Sequence, residues 1–303
     1  MRAGGSWRRW RARAFDLVFL VGGALFLFSA LGVLFLLTAD LAADGVSRLS
    51  WEFFTSFPSR HPDRAGIKSA LVGTVLVMLV TVCTALPVGV AAGLYLEEYA
   101  RKNWLTTIIE VNIANLAGVP SIVWGLMALG LFVYQFHLGR SILTAGLTLG
   151  LLVLPIVIVA TRESVRAVPQ TIREASYACG ASRWQTVVHH VLPYSLSGIL
   201  TGAIIAVSRA VGETAPLVTI GALTYIAFLP PSPVTGSPPF LSLEWLRSEF
   251  TVLPIQVFNW VSRPDARFHH NAAAASLVLL ALTLLMNGTA IVLRYRLRRR
   301  LQW

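Results

Sequence analysis

The sequence is short of charge, cysteine and lysine, and each shortage excludes a class of protein. Asp, Glu, Lys and Arg make up 13% of the 303 residues, where an ordinary soluble domain carries roughly a quarter. Two cysteines occur, Cys83 and Cys179; they give no disulfide framework and are expected as small core residues that do not meet. The two lysines, Lys68 and Lys102, follow Ile67 and Arg101. A phosphate-binding P-loop needs glycine before its lysine, so ATP hydrolysis by the usual route is excluded. The sequence also has no internal repeat, no low-complexity tract and no segment that reads as a soluble domain.

Long apolar runs stand where charge is missing. Leu17–Ala39, Ser69–Leu96, Val111–Phe136, Ser141–Thr161 and Ala272–Leu293 carry no charge over 21 to 28 residues each, and about 20 suffice to cross hydrocarbon as a helix. A sixth run, Leu196–Leu229, is interrupted only by Arg209 and Glu213. An all-α bundle of six transmembrane helices is expected, because a chain in lipid must satisfy its backbone polar groups internally. The first run has 23 apolar residues, more than the roughly 7–15 of a cleavable signal peptide, so it is expected to be retained.

The net charge of +11 is placed by topology, not for nucleic acid. With the N-terminus inside, 16 basic residues fall on inner segments, eight on outer segments and one, Arg209, within a span. That bias predicts both termini in the cytoplasm, with the basic tails as topology signals and contacts to membrane lipid. Among outer segments, Asp40–Lys68 holds Trp51, Phe53, Phe54 and Phe57 and reads as an interfacial cap. Pro230–Asn271 opens with Pro230, Pro231, Pro233, Pro238 and Pro239, so it starts as a non-helical loop; its later irregular amphipathic pattern suits a short helix or two along the outer surface. Pro87, Pro120, Pro155 and Pro216 lie inside runs and are expected to kink them.

The inner segment Thr161–Ser195 is too long for a turn. Ile172, Ala175, Ala178 and Cys179 share one helical face; Gly180 breaks the pattern; Trp184, Val187, Val188 and Val191 form a second face before Pro193. This predicts a helix–turn–helix beneath the membrane, either lying on lipid or docking a soluble partner. The adjacent His189 and His190 point in different directions and have no carboxylate or cysteine at metal-ligand spacing.

Glu174-Ala175-Ser176, Gly180 six residues after the glutamate, and Leu192-Pro193 resemble the EAA loop of bacterial ABC importer permeases, with Ser176 for the usual second alanine and His190 for the usual isoleucine. Arg209 to Leu217, reading RAVGETAPL, Gly118 to Gly125, reading GVPSIVWG, and Leu253 to Phe258, reading LPIQVF, are similar to stretches of the A-type permease of phosphate transporters. The C-type permease shares the GET element but continues differently. The resemblance implies a MetI-like fold, with a cytoplasmic coupling helix between spans four and five. It implies a transport subunit of the bacterial cytoplasmic (inner) membrane that is not an enzyme and needs no cofactor. The implied partners are a C-type second permease, a cytoplasmic ATP-binding subunit dimer and an extracytoplasmic phosphate-binding protein. The organisation expected on this basis is a basic tail 1–13, a first transmembrane helix 14–39, a periplasmic segment 40–68, a permease core 69–296 and a basic tail 297–303. The core would hold the EAA loop at about 162–193 and the periplasmic loop at about 230–271. The coupling residues it implies are Glu174, Ala175, Ser176, Gly180, Leu192 and Pro193; the pathway residues are Arg209, Glu213 and Thr214.

Arg209 and Glu213 are the chemistry of the sequence. An arginine at the bilayer centre costs at least about 2.5–3.5 kcal/mol, so it should face the bundle interior or water. Glu213 is spaced i, i+4 for an ion pair, yet Arg before Glu is the poorer order within a helix. The planar fork of Arg209 is then open to a phosphate oxyanion or a partner chain; a structural salt bridge is the alternative. Other readings stay open: the same architecture for an amino acid or molybdate, a membrane enzyme built on His61, Asp63, Glu163 and Ser164, or a sensory subunit. The spans hold neither paired carboxylates nor a serine–histidine partnership. The arginine distribution makes a topological prediction. Cysteines introduced near residues 4 and 299 should resist an impermeant thiol reagent in intact cells while one near residue 236 reacts, and outside labelling of either terminus would overturn the assignment.

Overall fold

The structure, a computed structural model, describes residues 4–234, 240 and 242–300, with side chains from 15 to 296. Pro238 and Pro239, labelling position 236 and the tail arginines Arg2, Arg8, Arg9, Arg11, Arg13 and Arg298 to Arg300 lie outside what is described at the level of side chains. Every regular element among the described residues is helical. In chain order these are α1 (Gly4–Gly45), α2 (Trp51–Thr55), α3 (Lys68–Leu94), α4 (Trp104–Leu116), α5 (Ser121–Ala128), α6 (Ile142–Arg166), α7 (Gln170–Ala178), α8 (Arg183–Thr186), α9 (Leu192–Gly212), α10 (Ala215–Thr219), α11 (Leu253–Val261) and α12 (Arg267–Arg300). Three π turns extend them: Tyr95–Tyr99 after α3, Leu129–Gln135 after α5 and Val187–Val191 between α8 and α9. Five helices are long and apolar enough to cross a membrane, and a sixth crossing is counted if the bent pair α4 and α5 is one span.

α6 is the central post, with α3 on one flank and α9 on the other. Side chains at Gly146 and Gly150 of α6 would run into Val80 and Thr84 of α3, and side chains at Gly89 and Gly93 of α3 would run into Val157 and Thr161 of α6. On the other flank Gly198 and Gly202 of α9 face Ser164 and Ala160. Small residues let backbones approach closely, which is how helices gain dispersion energy where lipid is as apolar as the interface. Ile142, Ala145, Leu149, Leu152, Val153 and Val157 of α6 are accordingly buried, none of them more than 2% exposed.

Two expected spans are not single helices. Val111–Phe136 is split between α4 and α5, whose axes meet at 106°. The break falls at Gly118-Val119-Pro120, where proline removes a donor and pushes its predecessor out of the helical region. In Leu196–Leu229 the long helix ends at Gly212; Glu213 is extended (φ −75°, ψ 123°), and the short α10 begins at Ala215 with Pro216 in its first turn. Pro87 and Pro155 do sit inside α3 and α6. Cys83 and Cys179 are free and exposed instead of being core residues: Cys83 is on the outer flank of α3, and Cys179 is at the turn after α7.

The end of the bundle where α3 and α6 begin, called the far end here, is closed by the chain's own loops. Leu253 N–H donates to Thr74 Oγ1 (2.9 Å), Ile142 N–H to Ser248 O (3.0 Å), and Ser69 Oγ–H to Ile226 O (2.9 Å). α11 is buried through Leu253, Ile255 and Trp260, against the expectation of a helix lying on the surface. Phe53, Trp260 and Phe268 build a second core there. Arg48 fastens it, donating to Asn271 Oδ1 (2.7 Å) and Pro62 O (2.9 Å). At the start of α12, Asp265 accepts from the Arg267 guanidinium and its backbone N–H, which holds that carboxyl below the usual carboxylate range. α1 touches the bundle near Gly45, beside Ala273 and Ala274 of α12, and its described side chains from Leu25 to Leu37 are exposed.

The glycine contacts yield a stability prediction. Gly202→Val should lower the melting transition in detergent by the equivalent of about 1–3 kcal/mol through overpacking against Ala160. Gly288→Ala, where a Cβ meets nothing within 4 Å, should raise stability by roughly 0.5–1 kcal/mol.

Candidate functional site

One helical rod joins the two groups of residues that the sequence singles out. α8, its π turn and α9 form a single 30-residue span, Arg183–Gly212, roughly 45 Å long at 1.5 Å per residue. Pro193 does not end the second arm of the inner hairpin as expected. The π turn Val187–Val191 directly before it widens the ladder where a residue without N–H would otherwise leave a broken bond.

At the lower end of the rod, α7 and α8 form the hairpin. Gly180 has φ +82°, the left-handed conformation that glycine adopts without a Cβ penalty, and its surroundings are open. Ser182 and Gln185 make a reciprocal capping box that starts α8. Ser176 Oγ lies 2.9 Å from Thr186 Oγ1 and closes the hairpin from inside.

The buried side of α7 is set by charge, which sequence periodicity missed. Arg173, 9% exposed, donates to Glu98 Oε1 from Nε (3.0 Å) and Nη2 (2.6 Å), to Val168 O (2.7 Å) and to Val165 O (3.0 Å). Of the expected apolar face only Ile172 turns inward, packing with Leu94 against Val165, Val168 and Val191. Ala175, Ala178 and Cys179 face out with Glu174, Tyr177 and Trp184. A guanidinium that must be satisfied outweighs the small area of two alanines and a cysteine, so Arg173 fixes the rotation of the helix. Leu192 and Pro193 are half-buried at the start of α9.

Four further ionic residues complete this end. Arg162 Nη2 meets Glu110 Oε1 at 2.8 Å, and Arg166 Nη2 meets Glu97 Oε2 at 3.0 Å. α3, α4, α6 and α7 are thus tied together. One signal in the sequence points to this network: Glu97-Glu98 is the only adjacent acidic pair in the chain, and it closes an apolar run.

At the upper end of the rod, Arg209 Nε donates to Glu213 Oε1 at 3.2 Å, with side chains 37% and 16% exposed. Gly198 faces Ser164 and Gly202 faces Ala160; continuing that antiparallel register puts Arg209 level with about Val153, near the middle of α6. Because Glu213 has left the helix, the unfavourable order of an intrahelical Arg–Glu pair does not apply, and Arg209 sits in the last turn, where a cation suits the helix dipole. Thr214 is half-buried; its carbonyl accepts from Leu217 N–H (3.1 Å) and Val218 N–H (3.0 Å), opening α10. Gly125 of α5 lies directly against Pro216 and Thr219 of α10, so the GVPSIVWG and GETAPL stretches are packed face to face. LPIQVF lies apart from them, at the far end. Among the described residues no cluster of three or more His, Cys, Asp or Glu is arranged for a metal.

The Arg173–Glu98 pair can be tested by removal of one partner. Breaking a buried pair strands the other charge and costs about 3–5 kcal/mol. Glu98→Gln should therefore lower the melting transition and expose the α7–α8 turn to limited proteolysis, while Glu174→Gln, on the exposed side, should change neither.

Comparison with known proteins agrees with this architecture. The family model described as "Binding-protein-dependent transport system inner membrane component" matches residues 85–303. The chain is 31% identical to the phosphate transport system permease protein PstA of Yersinia pestis, over 95% of this chain and 91% of that protein. It is 34% identical to the probable ABC transporter permease protein YqgI of Bacillus subtilis, over 78% of this chain and 81% of that protein. The fold is similar to a chain of the inward-facing MetNI methionine ABC transporter, with a TM-score of 0.58 at 16% identity, covering 74% of this chain and 93% of that one. The chain belongs to the family of binding-protein-dependent transport system inner membrane components.

Proposed function

We propose that this chain is one permease subunit of an ATP-driven phosphate importer, and that Arg209, Glu213 and Thr214 line its translocation path. The observation that carries the reading is the Arg209–Glu213 pair, at mid-membrane depth and on a face that the chain itself leaves open. A phosphate ion carries between one and two negative charges near neutral pH, and a low-dielectric path needs a fixed cation to receive it. Glu213 moderates that cation, so that the ion is held weakly enough to leave. The similarity to phosphate transport permeases over nearly the whole chain supports phosphate as cargo.

The rest of the assembly follows from the exposed surfaces. The end with α7 and α8 faces the cytoplasm, with both termini on that side, in keeping with its excess of arginine. Glu174, Ala175, Ser176, Gly180, Leu192 and Pro193 belong to the coupling element. The outward surface of that hairpin, with Glu174, Ala175, Tyr177 and Trp184, receives a dimer of ATP-binding subunits. A homologous C-type permease covers the open face of α9, and an extracytoplasmic phosphate-binding protein delivers its ion at the far end. Residues 69–296 form the permease core, with residues 14–39 as an added first helix.

Uptake of radiolabelled phosphate tests the reading. Arg209→Gln should abolish uptake in a complex that still assembles and still hydrolyses ATP in response to the binding protein, and Glu213→Gln should impair it less. A purely structural salt bridge predicts instead that both single variants lose assembly and the charge-swapped double variant recovers it. Normal phosphate uptake by assembled Arg209→Gln would remove Arg209 from the path, and uptake of another solute in place of phosphate would change the cargo.

A further inference from the structure

The arginines at the end of the bundle bearing α7 and α8 differ in how they are neutralised. Arg162, Arg166 and Arg173 each reach a carboxylate, on Glu110, Glu97 and Glu98 respectively. Arg294 of α12 reaches none among the described residues. Its Nη1 donates to Thr201 Oγ1 of α9 at 2.8 Å, and that hydroxyl in turn donates to Ser197 O at 2.8 Å. Neither wall can supply an anion, because α9 and α12 contain no aspartate or glutamate at all.

Arg294 opens onto a cleft of about 480 Å³ between the two helices, lined by Ser197, Gly198 and Thr201 of α9 and by Ile291, Arg294 and Tyr295 of α12. That volume falls in the range of small-molecule sites, about 300–1,000 Å³. No residue of α1 lines the cleft, so it is open on the side away from α6. Its depth is fixed by the sequence. Arg294 is the first residue after the charge-free run Ala272–Leu293, which at 1.5 Å per residue is about 33 Å, one hydrocarbon thickness. The guanidinium therefore lies where hydrocarbon gives way to phosphate headgroups. Leu284, Leu285, Ile291 and Val292 are exposed along the same helix, at 62%, 68%, 47% and 51%, and offer an apolar track leading from the bilayer into the cleft.

We propose that this cleft binds the phosphodiester of an anionic phospholipid, with the headgroup on Arg294 and an acyl chain along α12. A phosphodiester presents two non-bridging oxygens to a planar fork, and basic pockets between transmembrane helices are suited to anionic headgroups. Selection of an anionic lipid over a zwitterionic one comes from Arg296 and the arginines that follow it in sequence, which repel the ammonium or choline of a neutral lipid. Free phosphate has the same oxygens but gains nothing from the apolar track. The site is independent of Arg209: it lies about two helical turns nearer the coupling hairpin, by the spacing of Thr201 from Arg209.

The test uses the purified transporter. In native mass spectrometry with phosphatidylglycerol and phosphatidylcholine supplied together, the wild-type assembly should retain phosphatidylglycerol preferentially. Arg294→Gln should reduce that occupancy about fivefold, the equivalent of about 1 kcal/mol for one arginine near a membrane surface, with phosphatidylcholine occupancy unchanged. Arg294→Lys should fall between them. Melting in lipid-free detergent should be the same for wild type and Arg294→Gln, and only the wild type should gain stability when phosphatidylglycerol is added. Three results would overturn the proposal: equal phosphatidylglycerol retention by Arg294→Gln, stabilisation of the lipid-free wild type by inorganic phosphate alone, or no retained lipid because a helix of the partner permease fills the cleft.

Discussion

The flanking helices α3 and α9 are registered against α6, and α6 is held by close approach instead of by hydrophobic exclusion. In lipid the surrounding tails are as apolar as leucine, so burying leucine against leucine is a weak reason for helices to meet. The attraction comes from dispersion at short range, and short range requires glycine at the crossing points. Gly146 and Gly150 admit α3; Gly198 and Gly202 of α9 admit α6. Those contacts set the depth of every residue on the flanking helices. They bring Arg209 to the middle of the bundle and leave Thr201 and Arg294 at one edge of it, from nothing more than the antiparallel register.

Charge is treated differently at each of these depths, and the differences follow from desolvation. At the end bearing the hairpin, Arg162, Arg166 and Arg173 are paired with carboxylates. A buried pair of that kind contributes little net stability over an apolar substitute, while losing one partner is costly. Its effect is therefore specificity: the Arg173–Glu98 pair selects one rotation and one position of α7 among several that its small residues would permit. At mid-depth Arg209 has a single contact with Glu213 and remains 37% exposed. A cation so placed is left partly unsatisfied by its own chain.

The number of crossings and their all-helical character were legible in the sequence, since an uncharged run of 21 or more residues has few other uses. The two failures share a cause. Hydropathy reports whether a segment sits in lipid and is silent on whether its backbone stays helical. Val111–Phe136 and Leu196–Leu229 were read as continuous, yet Pro120 and Pro216 break them, while Pro87 and Pro155 do not. The difference lies in packing: Pro87 and Pro155 sit inside α3 and α6, which close on each other through Gly89 and Val157. At the hairpin the spacing from Glu174 to Gly180 located the turn, and φ +82° at Gly180 supplies its physical reason. The face of α7 was misread because a count of apolar residues gives an alanine the same vote as a leucine. A buried arginine cast the deciding one.

The two breaks bring the Arg209–Glu213 pair and the α7–α8 hairpin into mechanical relation. α8 and α9 are one rod, and the hairpin at its foot is clamped through Arg173 to the end of α3. A displacement applied to α7 would therefore move α3 and α9 together, because the rod has no loop in which to absorb it. α4 and α5 stand outside that unit: they are bent at 106°, and α5 meets α10 at Gly125, one short helix beyond Arg209. The residues between rod and bend are Glu213 and Thr214, both non-helical, and they are where a change of angle between the two bodies would be taken up. A continuous fifth helix would have carried Glu213 rigidly with Arg209. The break leaves Glu213 outside the rigid rod that carries Arg209.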